Sequence, residues 1–195
     1  MPRAMDFFFF FGSLYSYLAV MRIEALAARA GVAVRWRPFN VRAIMIEQNN
    51  IPRRNPVKLQ YIWTDVERRA KRYGIPFNGK PPFPVDPDFL ANRVGIVAAA
   101  EGWCPAYAKL TFSAWFRDHQ APGDPAHLGA ALRGLGKDAE AVIERANSQE
   151  IRNAFDAETD AARKLGIFGA PTFVVGREIF WGDDRLENAL ECAIS

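Results

Sequence analysis

An aromatic run near the start of the chain, ended by a Gly-Ser pair, constrains the fold more than any other feature. Residues 5–11 are mainly aromatic and show no polar alternation, which predicts a central strand covered on both faces. After the Gly-Ser pair, apolar residues recur at helical spacing from Leu14 until Gly31 ends the helix. Residues 32–38 then predict a second strand, so the chain opens with a β-α-β unit, for which a right-handed crossover is expected.

The long middle segment predicts helices in succession and no strand. Asn55 followed by Pro56 is a typical helix start, and Gly74 ends the helix that begins there. Five more helices are predicted over residues 88–101, 106–116, 126–135, 139–147 and 149–165. Residues 80–87 contain four prolines, which predicts an extended loop.

The last part of the chain returns to a mixed pattern of strands and helix. Residues 172–175 and 178–181 flank a Gly-Arg reversal, which predicts an antiparallel hairpin, and a final helix follows Gly182. The resulting order is β-α-β, helical insertion, α, β-hairpin, α. This order is typical of an α/β, thioredoxin-like fold with an all-helical insertion, although order alone allows other α/β folds. The Gly-Ser turn before the first helix and the Gly-Ala-Pro-Thr segment before the hairpin favour the thioredoxin-like fold. We assign residues 1–40 and 150–195 to the thioredoxin-like domain and residues 41–149 to the insertion.

Cysteine and histidine usage excludes several kinds of site. The 195 residues include two cysteines, Cys104 and Cys192, which are far apart and form no C-x-x-C pair. That excludes a disulfide framework, a cysteine zinc cluster and a dithiol redox motif, and it favours both cysteines as small core residues. The histidines, His119 and His127, have no metal-ligand spacing with other candidate ligands. We predict no metal, and we expect both histidines in a loop or on a helix surface.

Charge and hydropathy are those of an ordinary globular protein with a substantial core. Half of the residues are apolar and the net charge is +3. Basic residues cluster only at 53–54 and 68–72, stretches that usually form a solvated helix face. These clusters contain too few basic residues to indicate nucleic-acid binding, but they are able to attract an anionic small molecule. No segment approaches the roughly 20 apolar residues of a membrane span, and no targeting segment is visible, so we expect a cytoplasmic protein.

Ser13 lies where the first predicted helix begins. Unsatisfied amide N–H groups and the positive end of the helix dipole stabilise an anion at such a position. A serine hydroxyl is not a redox centre, but it can donate a hydrogen bond to a thiolate that a ligand brings, and the helix end lowers the pKa of such a thiol. The alternative is that Ser13 only caps the helix, because serine is a preferred N-cap residue.

The Gly-Ala-Pro-Thr segment places Pro171 directly before a predicted strand. A cis peptide between Ala170 and Pro171 would present the backbone groups of Ala170 towards the Ser13 helix end, where they could pair with a peptide-like ligand. The sequence is also compatible with an ordinary trans proline at the start of a strand.

Two further groups of polar residues lie at predicted helix ends. Asp183 and Asp184 fall in the first turn of the final helix, where the dipole favours acidic residues and where one of them could bind a ligand's ammonium group.

Lys58 follows the predicted cap Asn55 by three residues, and a cation at that end of a helix is mildly unfavourable. This mismatch indicates an anionic partner for Lys58, although an exposed lysine costs little there.

Together these segments resemble one protein family. Phe-Gly-Ser-Leu-Tyr-Ser-Tyr-Leu-Ala, Gly-Ile-Phe-Gly-Ala-Pro-Thr-Phe-Val-Val and Phe-Trp-Gly-Asp-Asp-Arg-Leu resemble segments of the 2-hydroxychromene-2-carboxylate isomerases. More distantly, they resemble kappa-class glutathione transferases, within the DsbA-like thioredoxin superfamily. The central Asn-Pro-Val-Lys, followed by Tyr61 and Asp65, is similar to the family's first insertion helix. The resemblance covers about residues 5–190, and it departs at Leu14, where the family usually has proline.

The resemblance implies a glutathione site at the start of the first helix. Ser13 would hydrogen-bond the glutathione sulfur. Ala170, preceding a cis Pro171, would pair its backbone with the cysteinyl part of the tripeptide.

It also implies roles for the residues around that centre. Gly182, Asp183 and Asp184 would hold the γ-glutamyl end, with Asp184 as the partner of its ammonium group. Asn55 and Lys58 would lie at the mouth of the site, near glutathione or the acidic substrate.

The same resemblance implies a glutathione-dependent isomerase that forms a homodimer. Its substrate would be an aromatic 2-oxo or 2-hydroxy acid such as 2-hydroxychromene-2-carboxylate, and its chemistry would be reversible thiolate addition, bond rotation and elimination. Two alternatives remain open: a kappa-like transferase that conjugates glutathione to electrophiles, and a non-catalytic glutathione- or peptide-binding module. A disulfide oxidoreductase is disfavoured because the chain has no dithiol.

Overall fold

The aromatic run forms the central strand of a mixed four-stranded sheet. The computed structural model describes residues 3–81 and 86–195. The strands are β1 (Ala4–Phe9), β2 (Ala33–Pro38), β3 (Thr172–Val175) and β4 (Glu178–Trp181), and they lie in the order β2-β1-β3-β4. β1 is parallel to β2 and antiparallel to β3, and β3 is antiparallel to β4. This is the sheet of a thioredoxin-like fold, as the sequence predicts.

Helices cover the sheet and fill the long connection between its two halves. They are α1 (Leu14–Ala30), α2 (Val41–Glu47), α3 (Pro56–Tyr73), α4 (Leu90–Ala100), α5 (Cys104–Asp118), α6 (Pro125–Gly134), α7 (Ala139–Asn147), α8 (Gln149–Lys164) and α9 (Leu186–Ile194). Two short 3-10 turns, Pro52–Arg54 and Asp183–Arg185, precede α3 and α9. In the described part of the chain, residues between β2 and β3 form no strand, which agrees with a helical insertion.

Most predicted elements are confirmed within one to three residues. The prediction that Asp183 and Asp184 lie in the first turn of the final helix is wrong, because they form a 3-10 turn and α9 begins at Leu186.

The sequence pattern does not predict α2. Its seven residues are too few for the spacing of apolar residues to indicate a helix. Its start does carry a signal, because the Asn40 side chain accepts a hydrogen bond from the Ala43 N–H at 3.1 Å. Part of the loop predicted over residues 80–87 lies outside the described residues. The division into domains at residues 40 and 149 stays a prediction.

Both faces of β1 are buried, which explains why its sequence does not alternate. Phe7 and Phe9 face a large core with α1 and α5, and the Phe7 ring stacks on Phe173 at a centroid distance of 5.3 Å. Phe8 and Phe10 face a smaller core on the other side of the sheet, with α2 and α8. Burying each such ring stabilises the fold by about 1.5–3 kcal/mol.

The cysteines and histidines take structural positions. Cys104 is buried, and burial raises the pKa of its thiol, whereas Cys192 is only partly buried. The expectation of a surface position is wrong for His127, which is buried in α6 with its Nδ1 3.0 Å from Gln120 Oε1. Within the described ranges, no group of three or more His, Cys, Asp or Glu residues could hold a metal ion. None of the described helices has the length and apolar content needed to cross a membrane.

Candidate functional site

Ser13 lies in the short connection between β1 and α1, directly before the first residue of α1, and its hydroxyl makes two hydrogen bonds. As the N-cap, its Oγ accepts from the Ser16 N–H at 3.2 Å. The same hydroxyl donates to the carbonyl oxygen of Ala170 at 2.9 Å. The N–H groups of Leu14 and Tyr15 find no acceptor among the described residues, as expected in a first helical turn. The cap interpretation is therefore confirmed, and the start of α1 still offers two unused donors.

The loop before β3 approaches this helix end. The Ala170–Pro171 peptide is cis, the arrangement that the sequence left open. The Ala170 carbonyl is bonded to Ser13, whereas its N–H has no acceptor in the described chain. The carbonyl of Pro171 accepts a 3.0 Å hydrogen bond from the Gly182 N–H, which ties the following turn to this loop. Four of the predicted site residues thus lie together: Ser13, Ala170, Pro171 and Gly182.

The two carboxylates that follow Gly182 differ in exposure. Gly182 has φ 110° and ψ 150°, a conformation that L side chains rarely adopt, and a Cβ there would lie 2.6 Å from Asp184 Oδ1. The Asp183 side chain is only 1% exposed, whereas that of Asp184 is 40% exposed. The carboxylate available to a ligand is therefore that of Asp184, and the Asp183 carboxylate belongs to the interior.

Arg69 of α3 connects these carboxylates. Its guanidinium lies 3.0 Å from Asp183, 3.7 Å from Asp184 and 2.8 Å from Asp65. Asp65 in turn accepts a 2.9 Å hydrogen bond from the hydroxyl of Tyr15, in the first turn of α1. Sequence reasoning missed this cluster, because Arg69 belongs to a basic stretch that usually forms a solvated helix face.

Burial dominates the electrostatics of Asp183. Its Oδ2 is buried without a hydrogen-bond donor, and the nearest Arg22 nitrogen is 4.0 Å away. Burial raises the pKa of Asp183 from 3.8 to about 6, against the opposing effect of Arg69. Burial and the hydrogen bond to Asp65 likewise raise the pKa of Tyr15 well above its ordinary value.

Asn55 and Lys58 lie at the start of α3, and no described contact joins them to Ser13. Asn55 is the N-cap, accepting from the Lys58 N–H at 3.0 Å, and both side chains are exposed. The contacts of Tyr15 with Asp65, and of Arg22 with the ring of Tyr73 at 3.7 Å, show that α1 and α3 run side by side in the same direction.

The N-terminal part of α3 therefore extends past the start of α1. Asn55 precedes Asp65 by about 15 Å along the helix axis, whereas Tyr15 lies in the first turn of α1. The first turns of α3 thus project beyond the end of α1 that carries Ser13.

Comparison with known proteins shows which family the chain belongs to. The family model of the DSBA-like thioredoxin domain matches residues 4–192. The chain belongs to this DsbA-like family. Within it, the chain is 32% identical over 186 residues to 2-hydroxychromene-2-carboxylate isomerase from Pseudomonas putida, covering 93% of this chain and 90% of that protein.

Two further relatives define its place among DsbA-like proteins. The solved structure of a 2-hydroxychromene-2-carboxylate isomerase matches with a TM-score of 0.86 and 31% identity, covering 98% of this chain and 94% of that one. Glutathione S-transferase kappa 1 from Caenorhabditis elegans is 27% identical over 203 residues, covering 95% of this chain and 88% of that protein. The family resemblance read from the sequence is thereby confirmed, and the chain is an enzyme of the isomerase type.

Proposed function

We propose that this enzyme is a glutathione-dependent isomerase of an aromatic 2-oxo or 2-hydroxy acid such as 2-hydroxychromene-2-carboxylate. The observation that carries the proposal is the Ser13 hydroxyl, which lies at the N-terminus of α1 and 2.9 Å from the Ala170 carbonyl of the cis-proline loop. The names of the isomerase and kappa transferase relatives support the same chemistry.

The residues present fit glutathione. An anionic sulfur would meet the hydroxyl of Ser13 and the unused N–H groups of Leu14 and Tyr15. The free N–H of Ala170 suits the backbone of a peptide ligand, and the exposed carboxylate of Asp184 suits an ammonium group. These five residues offer donors and an acceptor for the cysteinyl and γ-glutamyl parts of the tripeptide.

Bound glutathione would supply a nucleophilic sulfur for reversible addition to a conjugated carbonyl system. The protein's part is to hold that sulfur as an anion and to bring the substrate to it. Ser13 does so by donating its hydrogen bond, and α1 does so through the positive end of its dipole. Ser13 remains a donor throughout and does not itself attack the substrate.

Ser13 can take up this role without losing its structural one. Its oxygen accepts from Ser16, while its hydrogen is directed at Ala170. Rotation about the bond between Cβ and Oγ turns the hydrogen towards a ligand sulfur and leaves the cap in place. The Ala170 carbonyl is then released towards the N–H groups of the peptide ligand.

Lys58 and Asn55 are proposed to contact the carboxylate of the substrate. Both are exposed on the part of α3 that extends beyond the start of α1. A lysine cation there has no carboxylate within salt-bridge distance among the described residues, which leaves it available to an acidic substrate. The homodimer and the cytoplasmic location stay predictions, of which the first is tested by light scattering.

The proposal is tested by measuring isomerisation of 2-hydroxychromene-2-carboxylate without thiol, with glutathione and with γ-Glu-Ala-Gly, which lacks the sulfur. We expect turnover only with glutathione and competitive inhibition by γ-Glu-Ala-Gly. Turnover without any thiol would contradict the proposal. A stable glutathione adduct in place of the isomerised product would instead favour the kappa-like transferase, for which the same site would serve.

A further inference from the structure

The hydroxyl of Ser16, in the first turn of α1, is buried without a hydrogen-bond partner. Ser16 is 0% exposed, and its Oγ makes no hydrogen bond to any residue that the structure describes. By contrast, the similarly buried hydroxyl of Thr159, in α8, donates to the Phe155 carbonyl at 2.9 Å. A buried hydroxyl without a partner destabilises a fold, so its position three residues after Ser13 needs an explanation.

Ser16 is the third residue of a helix whose N-cap is Ser13. The Ser16 N–H donates to Ser13 Oγ at 3.2 Å, so the two residues are already in contact. Side chains of an α-helix tilt towards its N-terminus, which directs the Cβ of Ser16 back towards the cap. A polar side chain at this third position typically bonds the backbone N–H of the cap residue. Here that N–H donates to the Phe10 carbonyl at 2.9 Å, so the usual capping partner is already taken.

The Ser13 oxygen has the capacity for one more hydrogen bond. A serine oxygen carries one hydrogen and two lone pairs. In Ser13 the hydrogen is directed at the Ala170 carbonyl, and one lone pair accepts from the Ser16 N–H. Rotation about the bond between Cα and Cβ of Ser16 changes the position of its Oγ alone, and it leaves the contact between the Ser16 N–H and Ser13 in place.

We propose that Ser16 is a positioning residue for the ligand thiolate, whose hydroxyl donates to Ser13 Oγ when Ser13 turns its own hydrogen to the ligand sulfur. The inference rests on the proposed function and adds one residue to it. A hydroxyl that accepts a hydrogen bond becomes a stronger donor, so the bond from Ser16 strengthens the bond from Ser13 to the sulfur. No proton is transferred, and the buried Ser16 hydroxyl does not touch the ligand.

The test is Ser16→Ala, in which the thermal midpoint and the pKa of the bound glutathione thiol are both measured, the latter by thiolate absorbance against pH. Loss of the unpaired hydroxyl should raise the thermal midpoint by about 2–4 °C. The pKa of the bound thiol should rise by about half a unit, because Ser13 becomes a weaker donor. A residue with a purely structural role would change the midpoint and leave the thiol pKa as it is.

Ser113→Ala is the matched control. The Ser113 hydroxyl also faces α1, where it lies 3.7 Å from Met21 Sδ, more than one helical turn beyond Ser16. The bound thiol in this variant should have the pKa that it has in the wild type.

A double variant shows whether Ser16 acts through Ser13. If it does, Ser13→Ala combined with Ser16→Ala gives the same bound-thiol pKa as Ser13→Ala alone. A further rise in the double variant would mean that Ser16 reaches the sulfur directly, which overturns the inference. If Ser16→Ala titrates as the wild type while Ser13→Ala titrates higher, the inference fails and the proposed function stands. If the thiol bound to the wild type titrates at its ordinary value, both fail.

Discussion

The Ser13 hydroxyl donates a 2.9 Å hydrogen bond to the carbonyl oxygen of Ala170, on the residue before the cis proline. This bond joins the start of α1 to a loop that lies more than 150 residues further along the chain. The two parts that would bind a thiol peptide are therefore connected directly. One serine both stabilises the fold and presents a donor at the helix N-terminus.

The first prediction concerns the structural part of that role. Ser13→Ala removes the cap and the hydrogen bond to Ala170, so the free energy of unfolding should fall by about 2 kcal/mol. Ser148→Ala is the matched control, because Ser148 caps α8 through a 3.3 Å hydrogen bond from the Ile151 N–H and its hydroxyl has no second bond to any residue that the structure describes. Ser148→Ala should lower the free energy of unfolding, measured in urea, by about 1 kcal/mol. Equal losses in the two variants would mean that the bond to Ala170 contributes nothing.

The second prediction concerns the turn before α9. Gly182→Ala places a Cβ 2.6 Å from Asp184 Oδ1 and forces a φ of 110° on a residue with a side chain. We expect the free energy of unfolding to fall by about 1–3 kcal/mol. Glutathione binding should also weaken, because Asp184 must move. In Gly134→Ala, at the end of α6, the added Cβ meets nothing within 4 Å. That control should fold at least as stably as the wild type, and a Gly182→Ala variant that matches it would contradict our description of the turn.

Sequence patterns were sufficient to predict the sheet and most helices, because each element carries its own signal. The break after the aromatic run marks Ser13, and Gly-Ala-Pro-Thr marks the loop that meets it. The partners of Asp183 could not be predicted in this way. Arg69 reaches Asp183 only because α3 packs along α1, a relationship between distant segments that no local spacing contains. The Tyr15–Asp65 bond depends on the same packing.

The third prediction is a pH dependence that belongs to Asp183. Its pKa in the folded state is raised from 3.8 to about 6, so the folded protein keeps a proton that the unfolded chain releases. The stability contributed by this group is therefore fully present below about pH 4 and is lost as the pH rises to about 6. Over this window, the free energy of unfolding of the wild type should fall by up to about 3 kcal/mol relative to that of Asp183→Asn. Urea unfolding of both proteins across the window checks this, and a difference that is constant or grows with pH would show that the arginines outweigh burial.

The fourth prediction concerns Arg69. Arg69→Gln leaves the buried Asp183 with Arg22 as its remaining cation at 4.0 Å, and should cost about 3 kcal/mol in unfolding at neutral pH. Adding Asp183→Asn should recover part of that loss, because the uncompensated charge disappears. Arg163→Gln, which removes exposed ion pairs to Glu47 and Asp160, should have no measurable effect. If the double variant is no more stable than Arg69→Gln, the loss comes from packing and not from charge.

The most direct measurement of the central claim is the pKa of the glutathione thiol when it is bound. Ultraviolet absorbance of the thiolate, followed against pH, reports this pKa in the wild type, in Ser13→Ala and in Ser13→Thr. If Ser13 donates to the sulfur, the bound thiol titrates below the ordinary value in the wild type. Ser13→Ala then raises the pKa by about one unit, and Ser13→Thr restores it because it keeps a hydroxyl. An unchanged pKa in Ser13→Ala, with glutathione still bound, would contradict the claim that this serine stabilises a ligand thiolate.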